Sequence, residues 1–149
     1  MRRSLPLQNA ERFDSDLLDA DWQLAAGQID LAAAALSRLT PPSGRGDYRR
    51  RARYADASAR VAAAQGNWSA ARHASQQALD ALHAELGNEH PLCARAMAQQ
   101  ALYAHALHAD SDARELLRPV LPVLRRALVA QAPERIAVER LAHELGISG

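Results

Sequence analysis

Ala59-Arg60-Val61-Ala62-Ala63-Ala64-Gln65-Gly66-Asn67-Trp68-Ser69-Ala70-Ala71 is the stretch on which the fold turns. A helix-forming run leads into a Gly-Asn turn and out into a second helix start, with an alanine at each end, twelve residues apart. Working outward, the same twelve-residue spacing separates Ala20 from Ala32 and Ala101 from Ala113. The segments Gly27-Gln28-Ile29-Asp30 and His108-Ala109-Asp110-Ser111 stand at the same offset as Gly66-Asn67-Trp68-Ser69. Successive repeats begin 39 and then 42 residues apart, and such self-similarity marks repeated supersecondary units. Alanine at both positions has a physical reason. Two antiparallel helices joined by a short turn come closer than the usual spacing of about 8–10 Å only where small side chains meet.

The composition agrees with a helical chain. Of 149 residues 48% are apolar, yet only one Phe, two Trp and three Tyr are present, so the core has to be built largely from alanine and leucine. The β-branched enrichment that marks strands is missing, whereas Ala, Leu, Arg, Gln and Glu favour helix. The length suits one ordinary domain. All 18 basic residues are Arg, which reads as a GC-rich, bacterial coding bias. A lone cysteine, Cys93, excludes an internal disulfide and fits a reducing cytoplasm. Neither a signal-peptide pattern nor a membrane-length apolar run is present, so the expected location is cytoplasmic. The formal net charge is only +1, but residues 11–30 carry six acidic side chains against Arg12 alone, and the next segment is rich in Arg.

Read along the chain, residues 1–13 form an N-terminal extension and residues 14–146 a repeat domain, with Asp14 or Ser15 as the first helix cap. Its units fall at about 14–43, 47–87 and 91–130, followed by a capping helix at 133–145. Pro41-Pro42 and Gly44 to Gly46 close the first unit, Gly87-Asn88 the second, and Pro91 opens the third. Asp110, Ser111 or Asp112 caps the sixth helix, which Pro119 and Pro122 must kink or break. Pro133 begins a fourth unit that is not completed, and a single helix there covers the end of an array.

Gly66-Asn67-Trp68-Ser69-Ala70-Ala71, followed by Ala78-Leu79, resembles the turn and second helix of a tetratricopeptide repeat. The joint Leu86-Gly87-Asn88-Glu89-His90-Pro91 is similar to that of the longer, roughly 42-residue repeats of kinesin light chains and bacterial regulatory proteins. The resemblance implies an all-α helical-hairpin solenoid of three repeats plus a C-terminal capping helix. Two departures stand out. Ile29 occupies an aromatic position, and His108 replaces the turn glycine, so the third turn is expected to be less regular.

By the same resemblance, the first helix of each unit lines a concave groove. The groove positions are Asp14, Leu17, Asp21 and Leu24 in the first unit, Arg53, Asp56, Arg60 and Ala63 in the second, and Arg95, Ala98, Gln99, Leu102 and His105 in the third. Arg53, Arg60, Arg95 and His105 suit an acidic peptide, because guanidinium groups clamp carboxylates through paired hydrogen bonds. Against this, Asp14 with Arg53 and Asp21 with Arg60 occupy equivalent positions and can neutralise one another, while Arg95 and His105 show no acidic partner in the sequence. The basic start Arg49-Arg50-Arg51 lacks a nucleic-acid module around it and needs an acidic neighbour to offset the helix dipole. His105 and His108 at i, i+3, with Asp112, are a weak metal motif. Cys93 sits near a helix start, where a thiolate is favoured, although burial is the commoner state of a single Cys. Trp22 and Trp68 read as hairpin packing.

The expected function is therefore a non-catalytic protein–protein interaction module that binds a peptide or helix in its groove, without metal, cofactor, nucleic acid or membrane. Two alternatives follow from the same residues: the C-terminal sensor region of a bacterial protein kinase or transcription regulator, and a self-associating scaffold.

Overall fold

A computed structural model describes residues 7–147, all helix, turn and loop with no strand among them. Eight α-helices follow in order: α1 (Leu7–Ala25), α2 (Ile29–Ser37), α3 (Tyr48–Ala64), α4 (Trp68–Leu86), α5 (Pro91–Ala106), α6 (Asp110–Leu117), α7 (Leu121–Ala127) and α8 (Pro133–Glu144). No helix is long and apolar enough to cross a membrane. Where the sequence reads as one domain, the chain divides into two compact units, Met1–Glu85 and Leu86–Gly149.

In the first unit α1 packs on α2 and both pack on α3, around Phe13, Leu17, Ala20, Ala32, Ala35, Leu36, Ala57 and Val61. Phe13 and Tyr54 meet with ring centroids 6.2 Å apart, and the Tyr54 hydroxyl donates to the Leu36 carbonyl at 3.3 Å, tying all three helices together. The first helix thus begins at least seven residues before the expected Asp14, and neither Asp14 nor Ser15 caps it. Phe13 pulls the preceding turns into the core, so residues 7–13 are helix rather than extension, and residues 1–6 lie outside the described part.

The second unit is built on α5, which packs against α6 and α7, while α8 packs on α7. Its core runs from Ala94, Ala98, Ala101 and Ala104 to Leu117, Leu121, Leu124, Val138, Leu141 and Leu145. As the two prolines require, the sixth helix breaks. Residues Arg118–Val120 tighten into a 3-10 turn, and Pro122 falls in the first turn of α7, where an absent amide leaves no bond unmade. Pro91 is likewise in the first turn of α5, capped by His90, whose Nδ1 accepts the Leu92 amide at 3.1 Å. No side chain caps α6, whose N-cap is Ala109. Asp110, expected in that role, is engaged elsewhere.

Four helix ends share one geometry. Gly27, Gly66, His108 and Gly146 have φ of 79°, 78°, 61° and 71°. Each donates its amide to the carbonyl three residues back, and the next residue donates to the carbonyl five back, at 2.8–3.0 Å. This pair of bonds satisfies the last carbonyls of the helix and requires a left-handed residue. His108 therefore reproduces the glycine turn instead of relaxing it, and the expectation of a less regular third turn is corrected. The amides of Ala32, Ala71 and Ala113 then donate to Gln28, Asn67 and Ala109, each at 3.0 Å, closing the first turn of the following helix. All six paired alanines, Ala20, Ala32, Ala59, Ala71, Ala101 and Ala113, are buried.

Two predictions come from this backbone. Ala101→Leu will overpack a closed crossing and lower stability to urea by about 1–3 kcal/mol, whereas Ala34→Leu, on the exposed face of α2, will change it by less than about 0.5 kcal/mol. His108→Gly removes the Cβ from a left-handed position and will raise stability by about 1 kcal/mol.

Candidate functional site

The candidate side chains fall into two groups, Arg53, Asp56 and Arg60 on α3 in the first unit and Arg95, Gln99, Leu102 and His105 on α5 in the second. Each group is governed by local charge.

At the start of α3 the chain places Tyr48-Arg49-Arg50-Arg51, where the positive end of the helix dipole disfavours cations. The first helix answers this. Arg50 grips Asp14 through Nε and Nη2 at 3.0 and 3.1 Å, and its Nη1 donates to Asp47 at 3.0 Å. Asp47 is 2% exposed, so Arg50 is also what makes burial of this carboxylate tolerable. Arg51 donates to the Gly44 carbonyl, and Arg49 lies over the Tyr48 ring, 5.6 Å from its centroid. Arg53 reaches Asp14 at 3.8 Å, as the equivalence of their positions implies, but Arg50 holds the better geometry. Arg60 pairs with Asp56 one turn away on its own helix, at 2.7 Å, and not with Asp21. A four-residue helical spacing brings those side chains together without any tertiary contact.

In the second unit the expectation that Arg95 and His105 lack acidic partners is overturned. Arg95 Nε donates to Glu134 at 2.7 Å. His105 lies between two carboxylates, with Nδ1 2.7 Å from Asp110 and Nε2 3.1 Å from Glu144. Glu134 and Glu144 belong to α8, and each lies 39 positions beyond its partner on α5. These pairs join the two N-terminal ends and the two C-terminal ends, so α5 and α8 run parallel and in register. Asp14 and Arg53 are also 39 apart. Gln99 donates to the Tyr103 hydroxyl at 2.7 Å, and Leu102 remains 39% exposed.

The side chains that would bind an acidic peptide are thus already paired with carboxylates of their own unit. Leu17 and Ala98, read as groove positions, are core residues. Trp68 is half-buried at the start of α4, whereas Trp22, also expected to pack, is 70% exposed. With both ring nitrogens of His105 taken on opposite sides, His105, His108 and Asp112 do not converge, and no group of three potential ligands surrounds a metal position among the described residues. Cys93 is buried, and burial pushes its thiol up, so the thiolate is disfavoured.

A further charged cluster, absent from the sequence expectations, joins α7 and α8. Glu139 on α8 accepts from Arg125 of α7 through both oxygens, at 2.7 and 2.9 Å, and from Arg135 at 3.2 Å. Arg135 also donates to the carbonyls of Arg125 and Leu128, satisfying acceptors at the end of α7. The i, i+4 spacing of Arg135 and Glu139 was a usable sequence signal for one half of this cluster; Arg125 arrives only through tertiary packing.

These charges set opposite pH dependences. The hydrogen bond from Arg125, then that from Arg135, holds Glu139 at about 2 against an ordinary value of 4.5. Its stabilisation is complete above 4.5 and is lost as pH falls toward about 2. For His105 the hydrogen bond to Asp110, assisted by Glu144, outweighs burial and raises the imidazole above 6.5. That contribution is complete below 6.5 and is lost as pH rises through the raised value. Glu139→Gln will cost about 1 kcal/mol at neutral pH and weaken the acid dependence of the urea midpoint. His105→Gln will flatten the decline above pH 6.5 while leaving the acid limb in place.

Comparison with protein-family models, with curated proteins and with solved structures finds no match to this chain.

Proposed function

We propose that the chain is a non-catalytic protein-interaction module made of three tetratricopeptide-like hairpins, with α8 as a capping helix that begins a fourth. The observation behind this reading is the recurrence of one turn geometry at Gly27, Gly66 and His108, each followed by the same alanine-closed helix start. A chain that repeats a hairpin in this way supports surfaces assembled from successive helices, on which a few exposed side chains choose the partner. The ion pairs Asp14–Arg53, Arg95–Glu134 and His105–Glu144 each join residues 39 positions apart, within the 38–42 spacing of the left-handed turns at 27, 66, 108 and 146.

Site-specific photo-crosslinking tests the reading. A photoreactive residue at exposed positions, Trp22, Arg60 and Leu102 in turn, will yield at least one discrete protein adduct in native cells. Absence of any adduct from all three positions would overturn the interaction reading.

A further inference from the structure

Helix α1 presents to solvent a stripe that its core-facing side does not need. Glu11, Ser15, Leu18, Trp22 and Ala25 follow one another at helical spacing, and all are exposed. Leu18 is 51% and Trp22 is 70% exposed, one turn apart, and Ala25 and Ala26 continue the surface with small side chains. An exposed tryptophan beside a leucine is costly to leave in water, and tryptophan is the residue most enriched where binding energy concentrates. Beyond the Gly27 turn, Leu31 of α2 is exposed as well.

The charge around this stripe identifies what it fits. Between residues 11 and 30 six acidic side chains face a single Arg12. Asp14 is neutralised by Arg50 and Arg53, but Glu11, Asp16, Asp19, Asp21 and Asp30 make no ion pair among the described residues. A second copy set face to face on this stripe would bring like charges together, which disfavours a symmetric dimer here. A ridge of side chains along a helix, with small residues at one end, suits a helix laid against it. We infer that the outer face of α1, centred on Leu18 and Trp22, docks a basic amphipathic helix, its apolar stripe on Trp22 and its Arg or Lys residues beside Asp19 and Asp21. This deepens the interaction-module reading by naming one surface and the chemistry of its partner. It also reverses the expected sign of that partner, because the groove cations are internally paired while these carboxylates are not.

The probe is an 18-residue designed helix with a leucine stripe and arginines on the remaining positions, beside a control with the same stripe and glutamates. Trp68→Phe leaves Trp22 as the one reporter, since the sequence has two tryptophans. The Leu/Arg helix will shift Trp22 emission to the blue with saturation, and the Leu/Glu helix will bind at least tenfold more weakly. With a labelled Leu/Arg helix, Leu18→Ala will weaken binding at least fivefold. The double variant Asp19→Asn, Asp21→Asn will weaken it at least threefold and reduce its salt dependence. These positions are exposed or half-buried and helix-compatible, and the helical circular dichroism spectrum of each variant, compared with that of the parent, is the check on folding. Equal affinity for the two helices, or binding that leaves Trp22 emission unmoved, overturns the inference. If photo-crosslinked adducts still form at Arg60 or Leu102 in that case, the interaction reading survives without this surface. If no position yields an adduct, both fall.

Discussion

The rest of the structure depends on how closely two helices can approach where a hairpin crosses. In the α1–α2 and α5–α6 hairpins the buried pairs Ala20 with Ala32 and Ala101 with Ala113 permit that approach, and a left-handed residue at the turn releases the chain in the right direction to use it. Neither device suffices alone. Small residues without the turn leave two helices free to splay, and the turn without small residues would drive larger side chains into one another. The glycines at 27 and 66 meet the backbone requirement without a Cβ, and His108 meets it at φ 61°, held by the same two backbone bonds. The six buried alanines explain how a chain with one Phe and two Trp closes a core at all: close packing over many small contacts replaces a few large aromatic ones.

Charge pairing recurs at a fixed sequence spacing. Residues 39 positions apart on parallel or neighbouring helices meet as acid and base, so the arginines on α3 and α5 serve internal pairing first. Arginine suits this role because one planar guanidinium can satisfy two partners, as Arg50 does with Asp14 and Asp47. The cluster of Arg125, Arg135 and Glu139 extends the principle to a helix end, with Arg135 bonding both a carboxylate and free carbonyls. Because most of these pairs are partly exposed, they set orientation and pH response more than total stability.

What internal pairing leaves over defines the surface. On α1 the acidic side chains outnumber the bases that reach them, and Leu18 and Trp22 stand among the unpaired ones. Apolar area ringed by one sign of charge gives both affinity and selection, since the ring attracts a complementary partner and repels a like one. The same helix thus serves the core through Phe13 and Leu17 and leaves Leu18 and Trp22 exposed on its other side.

The amino-acid sequence by itself determined the helical class, the hairpin turns, the buried alanine pairs and the break at Pro119 and Pro122, because each depends on residues within one or two helical turns. It also implied that the Arg-rich start of α3 required an acidic neighbour. The start of α1 escaped it, since Phe13 earns its place in the core only by meeting Tyr54 across the fold. The candidate site was legible as a set of residues but not as a set of partners. Whether Arg95 and His105 were free, or whether Trp22 was buried, depended on Glu134, Asp110, Glu144 and on which face of α1 the core took. Those answers were decided by the tertiary structure alone, because a charge is neutralised and a side chain buried by whatever packing brings near, at any distance along the chain.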